Sequence, residues 1–320
     1  MKPEHKEPAP SKGNILCLGP TPCLQRTLWF QGLSPGAVNR ASRVTESASG
    51  KGCNVARIVH QLGYPSHYLG ISGGPVGSRF EELLAQDHFD YTLIRSEAET
   101  RTCQTLIDAK QSAVTELVEE AEAIRPEEAN DYLTQALTCL AQACVVILSG
   151  SLPPGMPLDC YARLVQAAQQ RGIPTVVDTQ RVPLQKALTA NPFLIKVNEH
   201  ELLALSDKAG TSLDRAIDLT LAQGAGQLLI TRGPEPALWV TQSERFLISP
   251  PKIQAINPIG SGDATAAGFG VGLIRGYSPF ESACYGLACG SANALTETSG
   301  QVNPADVEGL TSQVHSRKVE

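Results

Sequence analysis

The stretch Asn257 to Gly272, NPIGSGDATAAGFGVG, holds the residues best suited to chemistry. A turn-forming Asn-Pro and three small residues, Gly260, Ser261 and Gly262, lead into Asp263 and an Ala/Gly run that continues to Ile274. The pattern reads as a loop entering a buried helix. Backbone without side chains at a helix start exposes several N–H groups at the positive end of the helix dipole, which suits a phosphoryl group. Gly260 and Gly262 allow the close approach that a Cβ would forbid. Asp263 then stands where a transferred phosphoryl would be, the place for a general base accepting a hydroxyl proton. The plainer alternative is that Asp263 caps the helix and the glycines only turn the chain.

Other residues could join it. In SASGKGCN, Lys51 lies between Gly50 and Gly52, with Asn54 one turn on, and could present a cation and an amide to a sugar phosphate or hydroxyls. The segment fails the Walker pattern, since Thr45 stands where the first glycine belongs and Gly52 follows the lysine. The dinucleotide fingerprint fails as well, because GFGVG falls inside a helix with the wrong spacing. Arg101 closes the polar loop SEAETR, where a guanidinium could grip a phosphate in bidentate fashion. Lys196, Asn198, Glu199 and Glu201 combine a cation with carboxylates able to hold Mg²⁺ through water, or else Asn198 simply caps a helix. His60, His67, His88 and His200 have no metal-ligand spacing.

What could position these groups follows from the whole chain. Its 320 residues suffice for a substantial core in one large or two smaller domains. With 42% hydrophobic and 18% charged residues and a net charge of −6, the composition is that of an ordinary soluble protein. A pI near 5.6 without a basic run excludes an electrostatic footprint for nucleic acid. The nine cysteines are odd in number, scattered and without a C-x-x-C pair, as expected of small buried residues in a reducing compartment. Residues 1–13 read as a polar, disordered leader without the apolar core of a signal peptide, and no apolar run is long enough to span a membrane. The expected location is the cytoplasm.

Ile15 to Leu18 reads as a first buried strand, and Leu24 to Phe30 with Ala37 to Thr45 as a hairpin around GLSPG. Tyr91 to Ile94 and Thr102 to Ile107 read as further strands which, with that hairpin, form a small separate sheet. From Pro126 onward, short apolar strands such as CVVIL alternate with amphipathic helices. That alternation implies an α/β fold, a mostly parallel sheet with helices on both faces. Ligands bind outside the carboxyl ends of such strands. Ser149-Gly150-Ser151, Asp178-Thr179, Asn198 to Glu201 and Thr231-Arg232-Gly233 all fall at predicted strand ends and point to one cleft.

In combination these segments resemble the ribokinase-like carbohydrate kinases of the phosphofructokinase B type, most closely the branch of 1-phosphofructokinases and tagatose-6-phosphate kinases. The resemblance runs from about Ile15 to Gly300 through TPCLQRT at 21, SGKGCNVAR at 49, ETRTCQTLID at 99, TELVEE at 115, SGSLPPG at 149, KVNEHEL at 196 and NPIGSGDATAAG at 257. It implies a kinase domain over 14–310, with a small β-sheet lid drawn from about 24–46 and 90–118, and a polar tail at 311–320. It further implies transfer of the ATP γ-phosphoryl to a sugar-phosphate hydroxyl, with fructose 1-phosphate first and fructose 6-phosphate or tagatose 6-phosphate next.

By this resemblance Asp263 is the base, and Gly260, Ser261 and Gly262 form the anion hole. Lys51 and Arg101 contact the substrate phosphate, while Gly50, Asn54 and Ser151 match other sugar-site positions. Lys196, Asn198 and Glu201 belong to the nucleotide and Mg²⁺ side, with Thr231, Gly233 and Asn293 near ATP. A monovalent cation and a homodimer through the lid are further expectations. The chain departs from the family pattern at several points. Gln25 replaces the aspartate that accepts sugar hydroxyls, and one carbonyl cannot hold a diol as a carboxylate does. Ser49 and Ser261 replace a glycine and an alanine, and Val197 a proline. The phosphoryl-transfer residues are kept and the sugar-reading ones altered, which leaves a non-catalytic sugar-phosphate sensor as the alternative class.

Overall fold

The computed structural model describes residues 13–205 and 210–319, so the expected leader lies outside the described residues except for Gly13. The first strand, β1 (Asn14–Leu18), turns Ile15 and Cys17 to one side and Leu16 and Leu18 to the other, the period of a strand buried on both faces. Next come β2 (Cys23–Phe30), β3 (Arg43–Ser49), α1 (Lys51–Gln61), β4 (Ser66–Gly73), α2 (Gly74–Leu84), β5 (Asp90–Ser96), β6 (Arg101–Asp108) and β7 (Ala113–Val118). Helices and strands then alternate through α3 (Pro126–Cys139), β8 (Ala143–Ser149), α4 (Cys160–Gln169), β9 (Thr175–Asp178), α5 (Arg181–Leu188) and β10 (Leu194–Asn198). The run continues with α6 (Glu199–Leu203), α7 (Leu213–Ala222), β11 (Leu228–Arg232), β12 (Glu235–Val240) and β13 (Arg245–Ser249). Last come α8 (Ser261–Ile274), α9 (Pro279–Ala294), α10 (Pro304–Thr311) and β14 (His315–Val319).

The main sheet has the order β14-β13-β12-β11-β10-β9-β8-β1-β4-β5, parallel from β11 to β5 and antiparallel through the three other strands. One face packs Ile15, Val145 and Ile147 against α1, α8 and α9. Leu16, Val146 and Leu148 on the other face meet α3, α4 and α5. Each such side chain contributes roughly 1.5–3 kcal/mol of burial. The second sheet has the order β3-β2-β6-β7 and is separate, as the sequence implies for a lid.

Three expectations are corrected. The lid strand expected over 37–45 runs instead from Arg43 to Ser49, because its ladder with β2 is anchored at Cys23 opposite Ser49 and leaves 37–42 in the connection. β5, expected in the lid, pairs in parallel with β4 from His67 opposite Asp90 to Gly73 opposite Ser96. The intervening α2 supplies the crossover that a parallel pair requires, so β5 is the edge of the main sheet. The lid takes β7 in its place. Finally, the polar tail expected over 311–320 holds a strand: β14 pairs antiparallel with β13 over the five residues His315–Val319.

One close approach sets the start of α1. A Cβ on Gly19, just past β1, would lie 2.7 Å from the Gly52 Cα, and the converse holds equally. Helix and strand end therefore meet backbone to backbone.

Candidate active site

The carboxyl ends of β1, β8, β9, β10 and β11, the starts of α1 and α8, and the lid strands β2, β6 and β7 enclose one cleft of about 1480 Å³. Of the site residues expected from the sequence, all line it except Glu199 and Asn293.

At its floor, Gly260 caps α8 in the left-handed region, with φ 84°, and a Cβ there would meet the Gly300 nitrogen at 2.7 Å. No side chain caps the helix, and the Ser261 N–H turns back to the Pro258 carbonyl. The first-turn N–H groups of Gly262 and Asp263 are thus left open to a ligand at the positive end of the dipole. Asp263 does not cap the helix. Its side chain is 6% exposed and accepts a hydrogen bond from Asn54 Nδ2 at 2.8 Å. Burial, seconded by the charge of Asp178, pushes its carboxyl up to about 6, against the pull of Lys51, Asn54 and Lys196.

Asp178 at the end of β9 is fully buried between two lysines. Lys51 Nζ meets its Oδ1 at 2.8 Å and Lys196 Nζ meets its Oδ2 at 2.8 Å. Burial alone would raise this carboxyl, but Lys196 and Lys51 outweigh it and hold it below the usual range. Lys51, by contrast, is raised: burial opposes its charge, and Asp178, Glu201 and Asp263 outweigh that. The sequence marks Asp178 only as a polar strand end, and its tie to both lysines is a long-range fact that no local pattern carries. A side chain on Gly262 would run into Lys196 Nζ at 2.6 Å, so that lysine lies against the anion loop.

On the opposite wall, Asn198 and Glu201 cap α6 reciprocally at 2.8 Å each way, and Glu199 pairs with Arg232 at 2.7 Å. The capping alternative is therefore real for Asn198. Glu201 keeps its other oxygen 3.8 Å from Lys51 Nζ. Thr231 donates to the Val197 carbonyl at 3.4 Å, and Gly233 turns with φ 61° beside open space. Asn293 is fully buried, donating to the Ile259 carbonyl and the Ser261 hydroxyl and accepting from the Gly300 and Gln301 N–H groups. It braces the anion loop from behind.

The lid side is less satisfied. Arg101 donates through Nη1 to the Glu119 carbonyl at 3.0 Å, while its buried Nε has no partner among the described residues. Gln25 donates to Thr105 Oγ1 at 2.9 Å, which leaves Oε1 as its acceptor for a ligand. The Ser151 carbonyl accepts from the Thr21 hydroxyl at 3.0 Å beside Gly150. Gly50 has φ 108° at the joint where the lid strand β3 enters α1. The geometry can hold an anion at α8, accept a proton at Asp263 and bind a second anion between Lys51 and Arg101.

Known proteins show which family this chain comes from. A model of the pfkB family carbohydrate kinases matches residues 14–306. A tagatose-6-phosphate kinase of Staphylococcus epidermidis is 29% identical over 283 residues, covering 87% of this chain and 91% of that protein. Among solved structures, phosphofructokinase-2 of Escherichia coli in complex with potassium is similar at 26% identity and a TM-score of 0.85, over 94% of this chain and 98% of the other. Ribokinase of Arabidopsis thaliana, complexed with ribose and ATP, shares the fold at 18% identity and a TM-score of 0.72, over 94% and 99% of the two chains. With the family model spanning nearly all of the described residues, this chain belongs to the pfkB family of carbohydrate kinases.

Proposed function

We propose that the chain transfers the γ-phosphoryl group of ATP to a hydroxyl of a phosphorylated ketohexose. The observation that carries this reading is the convergence of buried Asp263, the uncapped start of α8 and the Lys51–Asp178–Lys196 cluster in a cleft that also receives Arg101 from the lid. Asp263 takes the proton from the acceptor hydroxyl as it attacks. The N–H groups at 262 and 263 hold the equatorial oxygens of the phosphoryl in flight, electrostatic stabilisation fixed before the reaction begins. Lys51 and Arg101 hold the phosphate already on the sugar. Lys196, Asn198, Thr231 and Gly233 serve the nucleotide side, and closure of the lid excludes water.

Among the described residues no group of three or more His, Cys, Asp or Glu side chains forms a metal cage. A lone carboxylate at Glu201, with its oxygens partly engaged, fits an ion that keeps most of its waters and binds through phosphates, the habit of Mg²⁺. Bound there, Mg²⁺ neutralises charge on the nucleotide phosphates. The potassium in the Escherichia coli relative supports a monovalent-cation requirement, read out as turnover in potassium against sodium-free Tris buffer. Exposed Val44 and Leu117, on the lid-sheet face turned away from the cleft, support a lid-to-lid homodimer, testable by sedimentation. No helix of the described residues is long and apolar enough to cross a membrane.

Release of ADP is measured with fructose 1-phosphate, fructose 6-phosphate, tagatose 6-phosphate and unphosphorylated fructose. The tagatose 6-phosphate activity of the curated relative and the fructose 6-phosphate bound by the Escherichia coli enzyme put the two 6-phosphates beside fructose 1-phosphate as first candidates. Turnover on a phosphorylated sugar that collapses in Asp263→Asn supports the reading. Silence on all four, with thermal stabilisation by a sugar phosphate, supports the non-catalytic sensor instead.

A further inference from the structure

Asn54 carries the contact between α1 and Asp263, and its amide has two ends. Nδ2 donates to the carboxylate. Turned over, the amide would set its carbonyl oxygen against that carboxylate, two acceptors face to face, and the bond would be lost. Two donors hold the carbonyl end where it is: Ser49 Oγ at 3.0 Å and Arg57 Nη1 at 3.2 Å. Arg57 is only 3% exposed and is itself held. Its Nη2 donates to Asp87 Oδ2 at 2.8 Å and to the Ala48 carbonyl, and lies 3.5 Å from Cys53 Sγ. Ala48 and Ser49 are the last residues of β3, the lid strand that runs through Gly50 into α1. One guanidinium therefore touches both the end of a lid strand and the amide that faces the general base.

We propose that Arg57, together with Ser49, is a positioning residue that fixes the Asn54 amide with its nitrogen toward Asp263, acting from the joint between lid and core. The proposal rests on the reading of Asp263 as the base. Arg57 lies outside the cleft lining and touches no reacting group. The fork geometry is what matters, because a lysine keeps the charge opposite Asp87 but cannot also hold the Ala48 carbonyl and Asn54. The Asn54 bond favours the ionised carboxylate. Lys51 from α1 and Lys196 from β10 act in the same sense, while Asp178 from β9 and burial act against it. Arg57 itself faces Cys53 on its own helix and Asp87 beyond α2. Replacing Arg57 by Lys or Ser49 by Ala leaves each of the charges around Asp263 in place.

The test uses the full chain as wild type, Arg57→Lys, Ser49→Ala and Asp263→Asn. The Asp263 carboxyl is titrated by ¹³C NMR in the free protein, its signal identified by its loss in Asp263→Asn, and kcat, ATP KM and thermal melting are measured alongside. Arg57→Lys is expected to raise the Asp263 midpoint by about half a pH unit or more. It should also lower kcat near neutrality about tenfold, with ATP KM within about twofold. Ser49→Ala should move the midpoint the same way by less. A folded Arg57→Lys with an unmoved midpoint and kcat within about twofold of wild type overturns the proposal. Should Arg57→Lys fail to fold, Ser49→Ala decides, and an unmoved midpoint overturns it there. The titration needs no turnover, so the two readings fail separately. Full activity of Asp263→Asn with a shifted midpoint in Arg57→Lys rejects the base and keeps the positioning, whereas collapse of Asp263→Asn with an unmoved midpoint does the reverse.

Discussion

The two walls of the cleft are built on different terms. On the core side the charged groups already have partners, Asp178 locked between Lys51 and Lys196 and Asp263 taking the Asn54 amide, and the neutral Asn293 braces the anion loop with bonds made inside the protein. On the lid side, Arg101 keeps a buried Nε without a partner among the described residues, and Gln25 spends one end of its amide on Thr105 and offers the other to a ligand. A group fixed in advance costs little to use when the reaction begins, which suits the part of the site that meets every substrate. Groups left open gain their partners only from the right ligand, which suits recognition. Transfer chemistry should therefore be hard to shift by changing the lid, and sugar choice easy.

The largest effect that would sharpen this contrast is at the core. Asp263→Asn is expected to lower kcat by ~10²–10⁴-fold while leaving sugar-phosphate KM nearly unchanged. Holding that buried carboxylate ionised at pH 7 costs the native state roughly 3 kcal/mol, so the same substitution should raise the melting temperature by a few degrees. A stabilised but fully active variant would break the comparison at once. Next is Arg101→Ala, for which sugar-phosphate KM should rise by ~30–100-fold with little change in kcat, as loss of a charge-assisted anchor predicts. An equal fall in kcat would put Arg101 in the transfer step.

Smaller, and reached by pH alone, is the acid limb. Because Asp263 sits up to about 6 and the proposed base must be ionised to take a proton, kcat/KM should be flat above that pH and fall about tenfold for each unit below it. A sugar phosphate titrates in the same range, so the limb is assigned through Asp263→Glu: movement gives it to the base, and an unmoved limb gives it to the substrate. The smallest effect belongs to the lid. Gln25→Asp should change the ratio of kcat/KM between two sugar phosphates by about tenfold or less, since one hydrogen bond is exchanged for a charged one. Should it change kcat alike for all sugars, the two walls are not separable.

Much of the core was legible in the sequence because it is written in burial. Strands such as CVVIL are apolar on both faces, and the polar residues that end them converge at one edge of any parallel sheet. The loop at 257–263 carried its own signal in small residues before a helix. Edges were not legible. β7, with Thr115, Glu116 and Leu117 all exposed, has no buried face to impose a period, and the polar β14 looks like a tail until β13 lies beside it. β5 reads as a lid strand because a strand does not state its partner; α2, not β5 itself, decides the matter. Arg57 could have been flagged from its place three residues after Asn54, one helical turn along the same face. Asn293 shows what local pattern leaves out: it lies outside the cleft lining, and its bonds to the Ile259 carbonyl, the Ser261 hydroxyl and the Gly300 and Gln301 N–H groups all reach beyond its own helix.

The contact between Gly19 and Gly52 bears on how this site can be inherited. With 2.7 Å between a new Cβ and the facing backbone, even a methyl group at either position must push α1 off the end of β1 and carry Lys51 away from Asp178. Neither residue has a side chain, a charge or a proton to lose. In a saturation library screened for turnover, both should tolerate as few replacements as Asp263, so that the most constrained letters of the chain include two that contribute only the room they leave empty.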